Sequence, residues 1–297
     1  MKGALRETVS GVLLIDKPAG PSSNAVLQRT KRLLGATRAG HTGTLDPLAS
    51  GLLVIGLGEA TKFSGAMLDA DKAYRAWVKL GERTATGDAE GPVLARSEAK
   101  VSRDELLSIL DRFRGEIEQL PPMHSAIKHL GRPLYAYARN GESVPRSPRR
   151  IAIRRLELDK FEEDTAALFV ECSKGTYIRA LAEDIGAALG CGAHLARLER
   201  TAVGPFRLDQ SITLDALEAL SHAERRGRLL PPEALVGSRP RLVLKAQLAA
   251  KIRQGRAVAV DSPSGSVSVF DEDGIFLGTG EVDDSGTLRP KRLLVLR

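Results

Sequence analysis

Twelve consecutive residues, Gly40-His41-Thr42-Gly43-Thr44-Leu45-Asp46-Pro47-Leu48-Ala49-Ser50-Gly51, constrain this chain more than any other segment. Its three glycines allow close backbone approach or positive φ. Pro47 keeps Asp46 out of the right-handed helical region, so the segment's one carboxylate sits on extended backbone. Apolar runs lie on either side: Val9–Ile15 reads as a buried strand and Leu52–Leu57 as a second short run, with Lys17-Pro18-Ala19-Gly20-Pro21 as a turn cluster between the first run and the loop. An Asp-Pro pair by itself is an ordinary turn starter, and its meaning depends on the rest of the chain.

That rest alternates helical and strand patterns. Ser22 or Ser23 can cap a helix whose apolar positions Val26, Thr30 and Leu33/Leu34 keep helical spacing up to Gly35. From Ala73 to Leu80 the residues Tyr74, Ala76, Val78 and Leu80 face one way and Arg75, Trp77 and Lys79 the other, a strand pattern. Ser102 and Glu105 form a capping box before Leu106, Leu107, Leu110 and Phe113. Ile151–Leu158 and Ala166–Cys172 read as strands, and Ile178, Leu181, Ala182, Ile185 and Leu189 as a helical stripe stopping at Gly190. The character changes near Pro231-Pro232. After a helical pattern over Leu242–Ala249 come short β-rich pieces, Val258–Val260, Val267–Phe270, Ile275–Gly278 and Leu293–Leu296, with Asp273-Gly274 as a hairpin signal. A domain boundary is expected near residue 235.

Charge supplies the first functional clue. The 297 residues carry 44 Lys plus Arg against 37 Asp plus Glu, a formal net charge of +7. From Ser125 to Arg155 there are eight basic side chains (Lys128, Arg132, Arg139, Arg146, Arg149, Arg150, Arg154 and Arg155) and one acid, Glu142, so this stretch holds a surplus equal to that of the whole chain. A charge run is usually a solvated face. This one also contains Tyr135, Tyr137, Pro145 and Pro148, and basic side chains mixed with aromatics suit RNA, where cations neutralise phosphates and rings stack. No apolar run approaches the ~18 residues of a membrane span, and the N-terminal residues show no signal-peptide pattern. Two cysteines exclude a disulfide scaffold and fit a reducing cytosol.

Two other patterns invite chemistry and are set aside. Gly56-Leu57-Gly58-Glu59-Ala60-Thr61 begins like a dinucleotide fingerprint, but its third small residue is Thr61 and no strand-end acid follows at the right distance. Cys191 and His194 have ligand-like spacing, with Cys172 elsewhere, but a fourth ligand is missing and the cysteines read as small core residues. No metal or organic cofactor is expected.

Several motifs, taken in order, resemble the TruB-type tRNA pseudouridine synthases. They are Lys17-Pro18, the Gly40–Gly51 loop, Gly58-Glu59-Ala60-Thr61-Lys62-Phe63, Lys72-x-Tyr74, Ser125-Ala126-x-Lys128, Ser173–Arg179 and Gly190–Leu195. The resemblance runs from residue 9 to about 215, and the C-terminal module looks like a PUA RNA-binding domain. It implies an α+β fold with a mixed, largely antiparallel central sheet flanked by helices over residues 1–235, carrying an RNA-gripping insertion at about 121–150, and a small β-rich PUA-like domain over 236–297. The implied activity is isomerisation of a T-loop uridine of tRNA, position 55, to pseudouridine by a cytoplasmic monomer without cofactor. The implied partner is the tRNA T-arm, with no protein partner and no membrane.

The resemblance also assigns roles. Asp46 is the nucleophile, Tyr74 the aromatic at the target base and Arg179 the partner of Asp46. His41, Tyr177 and Leu198 line the base site or fill the gap the base leaves, and Lys17 and Lys62 are basic positions near it. Lys128, Arg132, Arg139, Arg146, Arg149 and Arg150 meet the RNA backbone. The chemistry asks for these residue types independently. A target base must be flipped out before a side chain can reach it. A ring such as Tyr74 then offers it a stacking face, worth ~1–3 kcal/mol. A desolvated carboxylate stays ionised when an Arg stands beside it, although Arg179 could instead pair with Glu183 one helical turn on. An apolar wall, for which Leu198 and Ile178 are candidates, would hold water away from a detached uracil. Attack at C1′, addition at C6 and a glycal route with Asp46 as base all use the same residues, and Tyr74 can serve as base or as stacking platform. Three positions depart from the family pattern: Ala85 within Thr84-Ala85-Thr86 replaces an acid, Glu199 beside Arg200 replaces a base, and His124 replaces an aromatic. The competing classes are an RNA-binding folding helper and another RNA-modifying enzyme such as a methyltransferase.

Overall fold

A computed structural model describes residues 9–295. The N-terminal residues before Val9, where the signal-peptide reading begins, and Leu296, the end of the last expected strand, lie outside the described residues. Eight strands form the backbone of the main sheet: β1 (Gly11–Lys17), β2 (Ser50–Leu57), β3 (Lys72–Leu80), β4 (Gly115–Gln119), β5 (Arg149–Glu162), β6 (Thr165–Cys172), β7 (Ala193–Val203) and β8 (Ile212–Thr213). Their order is β8-β1-β2-β7-β3-β6-β5-β4. Among the described residues of these strands only the β1–β8 and β2–β7 pairings are parallel, so the sheet is mixed and largely antiparallel.

The sheet is covered where its strands are apolar on both faces. Val12, Leu14, Leu52 and Val54 point to one side of β1 and β2, while Leu13, Ile15, Leu53 and Ile55 point to the other. The second set packs on helix α1 (Ser23–Leu33) through Val26 and Leu27. Ser22 caps α1 by accepting from the Ala25 N–H, and Gly35, just past its end, has φ +63°. In the other half of the sheet, Tyr74, Ala76, Val78 and Leu80 of β3 share a core with helix α2 (Arg103–Asp111) and helix α3 (Ile178–Ala188). The capping box of Ser102 and Glu105 starts α2, and Gly190 at φ +76° follows α3. The opposite face of β3 is wetter, and there Arg197 of β7 lies 4.3 Å over the Trp77 ring.

The C-terminal part builds its own sheet from β9 (Arg241–Leu244), β10 (Val258–Ala259), β11 (Gly265–Asp271), β12 (Phe276–Val282) and β13 (Thr287–Leu293), in the order β9-β11-β12-β13-β10. Helix α4 (Ala246–Arg253) packs on it through Ala249 and Ile252. The last strand therefore starts and ends earlier than its sequence suggests, because only Leu288 of its first residues is buried and Arg289, Pro290, Lys291 and Arg292 hide the pattern. Leu235 and Val236, beside the expected boundary, are fully buried in a cluster that joins Val12 and Leu52 to Phe270 and Phe276. Among the described residues no helix is long and apolar enough to cross a membrane, and no group of three or more His, Cys, Asp or Glu could hold a metal ion. Cys172 and Cys191 are buried free thiols, and the Gly58–Phe63 segment is a short 3₁₀ turn at the junction of the two parts rather than a dinucleotide loop.

Candidate active site

The loop between strand Ala39–His41 and β2 is fixed from four directions. Ser23, the first residue of α1, is buried; its hydroxyl donates to the Leu45 carbonyl and accepts from the Leu45 N–H, both at 2.8 Å. Lys17, at the end of β1, donates to the carbonyls of Ala49 (2.6 Å), Pro18 (2.8 Å) and Pro47 (3.4 Å). The Gly20 N–H donates to the Pro47 carbonyl. Arg200 of β7 donates to the carbonyls of Leu52 (2.8 Å), Gly43 (3.1 Å) and Thr44 (3.4 Å). Leu45 and Ala49 are buried in the core, so the loop's side chains anchor it too. Asp46 is what this arrangement presents: its neighbours are pinned and its own side chain is 43% exposed.

Arg179 meets that carboxylate. Its Nε lies 3.0 Å from Asp46 Oδ2 and 3.5 Å from Asp88 Oδ2. Its Nη1 and Nη2 donate to the carbonyls of Thr86 (3.1 Å) and His124 (2.7 Å). The guanidinium is buried, whereas the Glu183 pairing that helical spacing allows is not the one made. Arg179 belongs to the first turn of α3, and Tyr177, the residue that caps this helix, is held by its backbone: its N–H donates to Gln119 Oε1 (2.8 Å) and its carbonyl accepts from Gln119 Nε2 (3.0 Å). Two groups that no motif marks, Asp88 and Gln119, thus fix the arginine. Asp88 is buried and accepts from the Thr86 hydroxyl and the Glu90 N–H. The loop that lacks an acid at Ala85 supplies one to Arg179 three residues later.

Tyr74 lies beside them on β3, buried and packed with Leu45 and Leu198 in one cluster. Burial pushes its phenol up to about 12, and the nearby Asp46 charge acts in the same direction, so the group is neutral at physiological pH. The Arg200 charge opposes that shift. His41 is half-buried at the end of its short strand; burial and the Arg200 charge lower its pKa, and its Nδ1 has no hydrogen-bond partner among the described residues. Tyr177 is half-buried, and Leu198 buried.

Several other expected positions are engaged by the protein itself. Lys17 is fully buried, with its ammonium engaged by three carbonyls, so it holds the loop instead of facing a ligand. Its pKa is lowered to about 8 by desolvation. Lys62 is not brought to Asp46: its Nζ contacts Glu59 and the Leu293 carbonyl, at the junction with the C-terminal sheet. Arg200 is buried in the same way as Lys17, and its neighbour Glu199 pairs with Arg197 at 3.7 Å. Of the basic stretch, Lys128 and Arg132 lie on a two-stranded hairpin, Lys128–His129 paired with Arg132–Pro133, followed by a helical turn, Leu134–Ala138. Arg139 lies 5.3 Å over the Tyr135 ring, Arg146 donates to the Pro121 carbonyl, and Arg149 and Arg150 begin β5 with exposed side chains. The stretch is therefore partly structured, in short pieces.

Comparison with known proteins identifies relatives by sequence and by fold. Residues 31–178 match the family model described as TruB family pseudouridylate synthase, N-terminal domain; residues 179–237 match a tRNA pseudouridylate synthase B C-terminal domain, and residues 240–294 a pseudouridine synthase II TruB C-terminal domain. The chain is 55% identical to tRNA pseudouridine synthase B of Azoarcus sp. over 97% of its length and 96% of that protein's. It is 53% identical to the protein of the same name from Aromatoleum aromaticum, over 97% and 94% respectively. Among solved structures it resembles a chain of an H/ACA RNP bound to a substrate RNA containing 2′-deoxyuridine, with TM-score 0.73, 25% identity, and 97% and 86% of the two chains covered.

Proposed function

This chain belongs to the TruB family of pseudouridine synthases, and from that premise we propose that it converts the T-loop uridine at position 55 of tRNA to pseudouridine. Conversion of a tRNA uridine to pseudouridine is the activity in the names of its relatives. The observation that carries the reading is the Asp46–Arg179 pair: a half-open carboxylate on a pinned loop, 3.0 Å from a buried guanidinium and beside a buried tyrosine ring.

In the proposed reaction the target uridine is flipped from its loop onto Tyr74, because its reacting atoms are shielded inside the folded RNA. Asp46 then acts on the nucleoside. The N1–C1′ bond breaks, the uracil turns over within the pocket, and C5 bonds to C1′. The C5 proton leaves to solvent and N1 gains one, so the product is an isomer of the substrate. Arg179 holds Asp46 oriented through this sequence, with Asp88 and two carbonyls holding Arg179. A phenol pushed up to about 12 favours Tyr74 as the neutral stacking surface over Tyr74 as the base. Leu198, His41 and Tyr177 bound the space around the base. Lys128, Arg132, Arg139, Arg146, Arg149 and Arg150 meet T-arm phosphates. The enzyme acts in this reading as a cytoplasmic monomer whose basic surface grips tRNA.

The test uses unmodified tRNA transcript carrying tritium at uridine C5, since that position exchanges its proton for carbon when pseudouridine forms. Stoichiometric release by the protein, and none by Asp46→Asn, is expected. No release by folded protein that binds the tRNA would overturn the enzyme reading in favour of an RNA-binding helper. Release from a transcript whose only missing uridine is position 55 would overturn the assignment of the site.

A further inference from the structure

The tip of the hairpin in the basic stretch combines two features that do not suit a turn. Leu130 is 89% exposed, and its φ is +49°. With Gly131 at φ +81°, it forms the two-residue connection between Lys128–His129 and Arg132–Pro133. Positive φ at both central residues is the type I′ form of such a connection, for which Asn, Asp or Gly is the usual choice at the first. A leucine there adopts a left-handed conformation that its Cβ opposes. It also exposes an apolar side chain to water without packing in return. Strain of this kind persists only where the surroundings impose it.

The surroundings do impose it. The Tyr137 hydroxyl donates to the His129 carbonyl, and the His129 ring meets the Tyr137 ring edge-on at 5.9 Å. Arg132 lies 4.6 Å over the same ring and donates to the Ala136 carbonyl. The Leu134 N–H closes onto the Ile127 carbonyl with the Leu134 side chain fully buried. The hairpin is thus braced from behind and presents its tip outward, with Lys128 and Arg132 beside it.

We propose that Leu130 is an apolar RNA contact, packing against an unstacked base or ribose of the bound tRNA while Lys128 and Arg132 neutralise the phosphates on either side. The inference rests on the tRNA reading above and adds a contact that charge alone does not provide. RNA fits better than an apolar protein surface because the tip stands inside the most basic stretch of the chain. Apolar wedges between bases are an established way for proteins to hold deformed nucleic acid, and unstacked bases in RNA loops offer the matching surface.

Leu130→Asn separates contact from structure, since Asn suits the turn better than Leu. Binding of unmodified tRNA is measured across a salt series, alongside thermal unfolding. The expected result is a Kd raised by about tenfold, what partial burial of a leucine supplies, with an unchanged salt slope and a Tm equal to or above that of the parent. Leu130→Met should retain most of the affinity. Arg132→Gln, by contrast, should reduce the salt slope by about one. An unchanged Kd for Leu130→Asn, in protein whose tritium release is normal, overturns this inference and leaves the proposed function standing. A weaker Kd accompanied by a lower Tm or a smaller salt slope also overturns it. Parent protein that fails to bind tRNA overturns both.

Discussion

Arg179 Nε lies 3.0 Å from Asp46 Oδ2 and 3.5 Å from Asp88 Oδ2, so one buried guanidinium spans an open carboxylate and a buried one. Two backbone carbonyls take its remaining edge. An ammonium cannot reproduce this planar fork. Arg179→Lys should therefore leave Asp46 with its charge partner displaced. Because a misplacement of about 1 Å costs about 10²-fold in rate, single-turnover tritium release should fall by that order, with tRNA affinity within about threefold. A variant that keeps a tenth or more of the parent rate would show that charge suffices and the fork does not matter.

Gly51 illustrates how tightly the loop and the sheet are joined. It pairs with Arg200 across the parallel β2–β7 contact, at φ +99°. A Cβ there would stand 2.4 Å from the Arg200 carbonyl oxygen and 2.7 Å from its nitrogen, which are backbone atoms that cannot swing aside. Gly51→Ala should destabilise the fold by about 3 kcal/mol, from strain at an unfavourable φ together with the forced separation of two central strands. Thermal or urea unfolding measures it, and a loss below about 1 kcal/mol would mean that the strands part easily here.

Much of this architecture is legible from sequence because the relevant signals are local. The cap at Ser22, the box of Ser102 and Glu105, the alternation through Tyr74, and the glycines at 35 and 190 each act within a few residues, and each marks the element found there. Strand β7 is harder to see. Its pairing with β3 shifts register between Leu195 and Arg197 and again between Arg200 and Ala202, so its apolar residues lose the period of two. Strand β4 is a short, polar edge strand with only Gln119 buried. At the site, Asp46, Tyr74 and Arg179 are marked by motifs, but the groups that position them are not. Asp88 and Gln119 act from loops and edges distant in sequence. Lys17 reads as a basic position near the base site, but it is buried like Arg200, and both are engaged by carbonyls. A cation's partner is a tertiary fact, and neither composition nor spacing encodes it.

Gln119 accepts from the Tyr177 N–H and donates to the Tyr177 carbonyl, making a two-sided clamp at the entry to the helix that carries Arg179. Gln119→Leu keeps the volume but leaves the Tyr177 N–H without its partner, which costs about 1–3 kcal/mol, while the Tyr177 carbonyl keeps the Leu181 N–H of the helix. The effect on turnover should exceed the effect on binding, because Arg179 lies only two residues beyond the clamp. We expect kcat to fall while KM for tRNA changes by less than about threefold. Equal losses in both would point to a general loosening of the fold.

Lys17 gives the site a dependence on alkaline pH whose two consequences have opposite sign. Desolvation lowers its pKa from 10.5 to about 8, with the charges of Glu90 and Asp46 acting against that shift. Between about pH 8 and 10.5 the unfolded chain therefore binds a proton that the folded chain has released, and the contribution of this group to stability rises with pH across that window. Below about pH 8 the burial penalty is present in full. Positioning runs the other way. The ammonium has three N–H donors for the carbonyls of Pro18, Pro47 and Ala49, and the neutral amine has two. Losing one donor should loosen the turn behind Asp46, and the longest contact, at 3.4 Å to Pro47, is the one expected to go. The kcat of the parent should accordingly decline above about pH 8, while its stability relative to Lys17→Met increases from pH 8 to 10. A kcat that stays level through pH 9.5 would show that the turn keeps its shape without the third donor, and a stability difference independent of pH would show that Lys17 keeps its proton throughout.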